Sequence, residues 1–353
     1  MKIYSLLLLP LLSSLLLLSS TVATAEQIII NGAGATFPYP IYTKWFSEFG
    51  KLNSTIQFNY QPIGSGGGVK QLLKETVDFA ASDTPIKEDE KKSAPWPILH
   101  IPTVVGSVVM VYNIPELENS KSKEKLQLDG TCLAAIYLGK ISKWNDPLLQ
   151  KQNPKLVLPN KDILVIRRSD GSGTTEIFTS YLSASDTTWN SSPGSGKSIA
   201  WPTGIGAKGN DGITTMVKQS PYSIGYVEYA YAVSNALATA SLKSGDNNYT
   251  APSIASMSSA ASSIGNIDSK DLQSGDLKKL SLLSQKGGKG VAAYPMSSFT
   301  YILLPLPKTP NAKLIALKQF LKWAINDGQS MAAKLDYAPI PKELAQKISE
   351  QLK

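Results

Sequence analysis

"QIIINGAGATFPYPIYTKWFSEFG", residues 27–50, decides the fold. Its first six residues, 27–32, read as a short apolar strand entering a Gly-Ala-Gly turn. Beyond the turn, Tyr42, Trp45, Phe46 and Phe49 recur at helical spacing, with Pro40 suited to a first helical turn. Working outward, "TIQFNYQPIG" (55–64) alternates like a half-buried strand and "SGGG" (65–68) breaks it. Val69, Leu72 and Leu73 mark a second helix, and "VDFAASD" (77–83) a short strand ending at Asp83. This β-α-β-α-β rhythm predicts a largely parallel sheet covered by helices.

Farther along, "PILHIPTVVGSVVMVYNIP" (97–115) reads as a strand pair that carries the chain into a second domain. "CLAAIYLGKISKWNDP" (132–147) is a helix and turn, and "DILVIRR" (162–168) a buried strand. Ile177, Phe178, Tyr181 and Leu182 give the face of the next helix. "SIGYVEYAYA" (223–232) is a strand leading to a helix. The stretch 233–290, rich in Ser, Ala, Gly and Lys, reads as peripheral helices and loops. "FTYILLPL" (299–306) is a late return strand, and two amphipathic helices, "AKLIALKQFLKWAIND" and "PKELAQKISEQL", follow.

The 353 residues leave room for two domains, and 42% hydrophobic against 18% charged residues fits a globular chain. Met1-Lys2, a leucine-rich run through Leu18 and the site Ala23-Thr24-Ala25 predict a secretory signal over 1–25. Ser13-Ser14 interrupts the run, which is short for a membrane span. Glu26, not a cysteine, stands directly after the expected cleavage point, which argues against a lipid anchor. The single cysteine, Cys132, excludes an internal disulfide, and no Cys/His spacing suggests a metal. A net charge of +8, with lysines scattered rather than clustered, argues against nucleic acid.

Three turns stand between a predicted strand and a predicted helix: "GAGATF" (32–37), "IGSGGG" (63–68) and "DGSGTT" (170–175). There the free N–H groups and positive dipole end of the helix face outward and favour an anion. Each turn taken singly also serves as a plain helix cap. Phe37 stands where a dinucleotide fingerprint needs a small residue, and no turn ends in the Gly-Lys-Ser/Thr of a P-loop. Ser172 is outside a G-x-S-x-G elbow, and the sole histidine, His100, lies in an apolar run that suits a structural role. Paired carboxylates such as Asp83 and Asp170 leave a glycosidase open without favouring it. A carboxylate at an anion site is repulsive unless the anion carries a proton. Phosphate does so near neutral pH, with a second ionisation at roughly 6 in its esters. Asp83 would then accept from protonated phosphate and repel sulfate.

"GAGATFPYPIYTKW", "IGSGGGVKQ", "VDFAASDTP", "IYLGKISKWNDP", "RRSDGSGTT" and "IGYVEYAYA" together resemble the periplasmic phosphate-binding family of the high-affinity phosphate ABC transporter. The resemblance runs in order through most of the chain and is thinnest at 233–290 and at the extreme C-terminus. It implies a non-enzymatic α/β protein of two lobes, each a mostly parallel or mixed sheet flanked by helices, joined by crossing strands that hinge. The expected layout is residues 26–108 in the first lobe, 109–296 in the second and 297–353 back in the first. Carried over by motif, Thr36 and Phe37 donate through backbone N–H, with the Thr36 hydroxyl helping. Ser65 donates N–H and hydroxyl, Asp83 accepts the phosphate's proton, and Arg168 supplies the cation. Ser172, Gly173 and Thr174 donate at a helix start, while Asp170 holds Arg168. The implied ligand is inorganic phosphate, with no cofactor and no metal. The implied partners are the transporter's membrane permease and ATPase subunits, and the state is a periplasmic monomer. The alternatives are a receptor for another tetrahedral oxyanion or a phosphate ester, and a secreted phosphatase. Two departures are visible: Gly66 replaces the family's usual second serine, and Pro62 stands where a glycine is common. Ser169 also replaces a commoner alanine.

Overall fold

The computed structural model describes residues 26–118, 124–244, 248–262, 272 and 291–353. The expected export signal at 1–25 and most of the peripheral stretch 263–290 lie outside the described residues. The β-α-β-α-β run is β1 (Ile28–Gly34), α1 (Tyr39–Leu52), β2 (Ile56–Gln61), α2 (Ser65–Leu73) and β3 (Phe79–Ser82). β1 lies between β2 and β3 and parallel to both. Pro40 sits in the first turn of α1, where its missing N–H costs no helical bond. Tyr42, Trp45 and Phe49 are buried, and Phe46 stacks on Phe58 of β2 with ring centroids 4.5 Å apart. Helix and sheet are thus joined by aromatic burial, the large-area contact that dominates core energetics.

The chain continues through α3 (Glu88–Lys92) into β4 (Ile98–Asn113), α4 (Pro115–Glu118), β5 (Gln127–Leu128), α5 (Gly130–Tyr137) and α6 (Pro147–Gln152). Next come β6 (Leu164–Arg168), α7 (Gly173–Ser185), α8 (Thr187–Ser191), β7 (Ile205–Ala207), α9 (Gly209–Gln219), β8 (Ser223–Glu228) and α10 (Tyr229–Ser234). Three short strands, β9 (Ala238–Thr239), β10 (Ser241–Lys243) and β11 (Tyr249–Thr250), and α11 (Ile254–Ser262) precede β12 (Ser297–Pro305). Two helices follow, α12 (Ala312–Ala324) and α13 (Lys342–Gln351).

The block expected to be a strand pair is one strand, β4, of 16 residues. Its two chain breakers serve contacts instead of a turn. Pro102 pairs with Tyr301 beside a register shift, a place where a strand tolerates a missing N–H. At Gly106 a Cβ would stand 2.4 Å from the Phe37 ring, so only glycine lets that ring approach. Along β4 the partner changes. Ile98–Ser107 pairs antiparallel with β12, and Val108–Asn113 pairs antiparallel with β8.

The resulting sheet order is β2-β1-β3-β12-β4-β8-β6-β7, with β8, β6 and β7 mutually parallel. This is the two-lobe α/β arrangement: two mixed sheets that share β4. Ligands in open α/β sheets bind beyond the carboxyl ends of parallel strands. Here those ends deliver Thr36 after β1, Ser65 after β2, Asp83 after β3 and Arg168 at the end of β6.

Candidate functional site

The turn after β1 is held from behind. Tyr231 donates to the Thr36 carbonyl at 2.7 Å and Tyr337 to the Phe37 carbonyl at 2.6 Å. The amides of Thr36 and Phe37 have no acceptor among the described residues, and both residues are buried. The same holds for the amide of Ser65, which opens α2. Buried backbone donors are nearly always paired, so three unspent ones on neighbouring turns point to an acceptor from outside the chain.

Asp83, just past β3, is 2% exposed and makes no ion pair among the described residues. Three hydroxyls surround it: Thr300 at 3.0 Å, Thr174 at 3.3 Å and Ser65 at 3.4 Å. Burial pushes its carboxyl up to about 6, against the Thr300 hydrogen bond and the Arg168 charge, which pull it down. A carboxylate with that proton affinity suits a shared proton with a group ionising in the same range.

Across from this first wall, Arg168 is anchored by Asp170 in a two-point fork, Nε to Oδ1 at 2.7 Å and Nη2 to Oδ2 at 2.5 Å. Its third nitrogen, Nη1, is buried and has no partner among the described residues. Burial works against the Arg168 charge, but the hydrogen bonds and charge of Asp170 outweigh it and hold the guanidinium above its ordinary range. For Asp170, burial raises the carboxyl, while Arg168 and the Gly209 amide lower it further, for a net fall below the usual range.

Ser172 caps α7, its Oγ accepting the Thr175 amide at 3.0 Å. Its own amide goes to the Lys197 carbonyl at 2.9 Å, which leaves its hydroxyl proton to donate. The Gly173 amide reaches Ser65 Oγ at 3.1 Å. A Cβ on Gly173 would lie 2.6 Å from that oxygen and 2.7 Å from Asp83 Cβ, so glycine permits the close approach. Thr174 bonds Asp83 through its hydroxyl and keeps a free amide among the described residues.

The two walls touch directly. Gly66 N–H donates to the Gly171 carbonyl at 2.8 Å, Thr84 to Glu176 at 2.6 Å, and Lys197 to the Pro85 carbonyl at 3.4 Å. The glycine at 66 has a local reason, because a Cβ there would stand 3.2 Å from Gly171 Cα. All eight residues expected at the site, with Asp170 behind them, therefore lie along one seam between the lobes.

Several participants escaped the sequence reading. Asn210, at the start of α9, bonds Thr36 Oγ through its backbone N–H at 3.2 Å and its Nδ2 at 2.8 Å. "GAKGNDG" (206–212) ahead of Ile213 and Val217 is a helix-start signal that marks this position. Nothing in the sequence marks Thr300 or Tyr231, whose roles depend on distant strands and helices.

The competing chemistry finds no support in the geometry. His100 Nε2 accepts the Ile86 amide at 3.2 Å, and burial lowers its pKa to about 3, so it stays neutral and structural. Cys132 is buried, and burial first, then Asp129, pushes its thiol up to about 12. Among the described residues no cluster of His, Cys, Asp and Glu could hold a metal, and no helix is long and apolar enough to cross a membrane.

Comparison with known proteins gives the same placement. A sequence model of the PBP superfamily domain matches residues 20–327. The chain is 42% identical over 338 residues to the phosphate-binding protein PstS of Pasteurella multocida, covering 96% of this chain and 94% of that one. It is 43% identical over 333 residues to PstS of Haemophilus influenzae, covering 94% and 95%. In fold it is similar to a high-affinity periplasmic phosphate-binding protein solved with phosphate, at TM-score 0.71 and 19% identity over 92% of this chain and 93% of that one. A phosphate-binding protein of Stenotrophomonas maltophilia aligns at TM-score 0.65 and 18% identity, covering 91% and 93%. With full-length relatives above 40% identity and the strand order of a two-lobe receptor, the chain belongs to the PstS phosphate-binding protein family of the PBP superfamily.

Proposed function

We propose that this protein binds one inorganic phosphate between its lobes and delivers it to the permease and ATPase subunits of a phosphate ABC transporter. It does so without chemistry, as a monomer in the periplasm, after removal of residues 1–25. Support for the ligand comes from the relatives' names and from one local observation. Asp83, a buried carboxylate, lies at the same seam as backbone amides that have no acceptor among the described residues.

Thr36, Phe37, Ser65 and Thr174 offer amides; Thr36 and Ser172 offer hydroxyl protons, and Ser65 turns its own from Asp83 to the ligand; Gly173 admits the close contact, and Arg168 Nη1 supplies the charged donor. Asp170 steadies Arg168. Phosphate's remaining proton goes to Asp83, whose carboxyl and the ligand then titrate in the same range. Sulfate brings no proton and meets a bare carboxylate. The lobe limits of 26–108 with 297–353, and 109–296, are supported by the change of partner along β4 between Ser107 and Val108.

Calorimetry on the mature chain with phosphate, arsenate and sulfate tests this reading. Phosphate and arsenate bind and compete; sulfate binds at least about 100-fold more weakly, in line with a desolvated like-charge contact. Asp83→Ala narrows that gap. Equal binding of sulfate by the parent, or unchanged selectivity in the variant, rules out the proton-acceptor account. Hydrolysis of a phosphate ester lost on Ser172→Ala would instead mark a phosphatase.

A further inference from the structure

A hydroxyl has one proton to give and two lone pairs to fill. On Thr36 both lone pairs are taken by one residue from the opposite lobe, the backbone N–H and Nδ2 of Asn210. The side-chain amide of Asn210 has no choice about which end it turns. Its Oδ1 accepts the Glu228 amide at 3.0 Å, so its Nδ2 must face Thr36. Asn210 is fully buried, and Tyr231 fixes the Thr36 carbonyl from the same lobe.

We propose that Asn210 is a positioning residue that makes the Thr36 hydroxyl donor-only, aiming its proton at an unprotonated oxygen of the ligand. This rests on the phosphate reading above and deepens it. Asp83 is the acceptor of the site, and Thr36 is kept from becoming a second one. A protonated phosphate therefore fits in one orientation, with its proton toward Asp83. Asn210 and Thr36 belong to different lobes, so the Thr36 donor is completed only when the lobes meet. Closure thus finishes the site instead of merely covering it.

Of the acidic groups nearby, Glu228 Oε2 accepts the Ala230 amide at 2.7 Å and burial pushes its carboxyl well above the usual range, while Asp170 receives Arg168 and the Gly209 amide. A neutral replacement at 210 therefore tests orientation without adding charge.

The experiment is a double-mutant cycle on phosphate affinity by calorimetry, with Asn210→Leu, Thr36→Val and the pair. Thr36→Val by itself lowers affinity by about tenfold or more, the worth of a hydrogen bond to a charged acceptor. Asn210→Leu lowers it about tenfold when Thr36 is present and less than about threefold when residue 36 is valine. Additive losses, or a Thr36→Val protein that binds as tightly as the parent, overturn the proposal. If Asn210→Leu does not fold, Asn210→Ala runs the same cycle without added bulk. A parent chain that ignores phosphate overturns the phosphate reading and this role with it. A parent that binds phosphate while the cycle is additive overturns the role of Asn210 alone.

Discussion

The two walls of the seam solve the same problem with opposite means. On the first, α1 and α2 begin at Pro38 and Gly64 with no side-chain cap, and the donors of Thr36, Phe37 and Ser65 stay unspent. On the second, α7 is capped by Ser172, its start is tied to Lys197 and Ser65, and a guanidinium is already bound to a carboxylate. The turns of the first wall bring one buried carboxylate, Asp83, to the seam. The second carries a full positive charge, largely compensated before any ligand arrives. On the proposed reading, affinity for an anion would rest on oriented dipoles and single hydrogen bonds rather than on net charge, and a carboxylate in the site is then tolerable.

The largest effect follows from breaking the compensated wall. Arg168→Met leaves Asp170, its side chain 11% exposed, with the Gly209 amide in place of a bidentate cation. Removing one member of a buried pair costs about 3–5 kcal/mol. Urea unfolding should show a loss of that size, and calorimetry a phosphate affinity reduced by at least about 100-fold. The double variant Arg168→Met/Asp170→Leu should recover stability and leave affinity low. Recovery of both would mean that the arginine serves the fold alone.

A second effect sharpens the role of the neutral wall. In the folded chain burial holds the Asp83 carboxyl at about 6, while an unfolded aspartate ionises near about 3.9. The folded protein then binds the extra proton in between. The contribution is fully present below about pH 4 and is lost as pH rises through about 6, a span worth about 3 kcal/mol. Asp83→Asn carries no such proton. Without phosphate, the variant should gain about 2 kcal/mol relative to the parent between pH 4 and pH 7, followed by urea melts at both values. Equal pH profiles would mean that Asp83 is solvated in solution, and the proton-sharing account of selectivity would lose its basis.

What was legible in the sequence divides by range: local units show, distant partners do not. The strand–turn–helix units at 32–37, 63–68 and 170–175 and the strand ending at Asp83 show plainly, because alternation, helical spacing and Gly-rich breaks are local signals. The assignment of Arg168 with Asp170 needed the family resemblance, since nothing in "RRSDGSGTT" says which arginine turns inward. The stretch 97–115 reads as a strand pair but forms one strand, β4, which runs straight through Pro102 and Gly106. Their reasons, a bulge opposite Tyr301 and the Phe37 ring, belong to partners far along the chain. Asn210 and Thr36 are 174 positions apart, and Thr300 and Asp83 are 217 apart. Contacts of that range have no signature in a single sequence.

The smallest effect tests whether the capped and uncapped helix starts differ in kind. Ser172 accepts the Thr175 amide, and Ser172→Ala removes that cap at a cost of about 1 kcal/mol, as such replacements commonly do. Phosphate does not replace this cap, because the orphaned amide belongs to Thr175, one turn into α7. The loss should therefore be the same in thermal melts with and without saturating phosphate, apart from the weaker binding that follows from losing the Ser172 hydroxyl. The uncapped starts behave otherwise. If phosphate supplies the missing acceptor for Thr36, Phe37 and Ser65, as proposed, hydrogen exchange at those three amides should slow on binding by more than at Thr175. A uniform slowing across both walls would show that closure alone protects them, and the contrast between spent and unspent donors would fall.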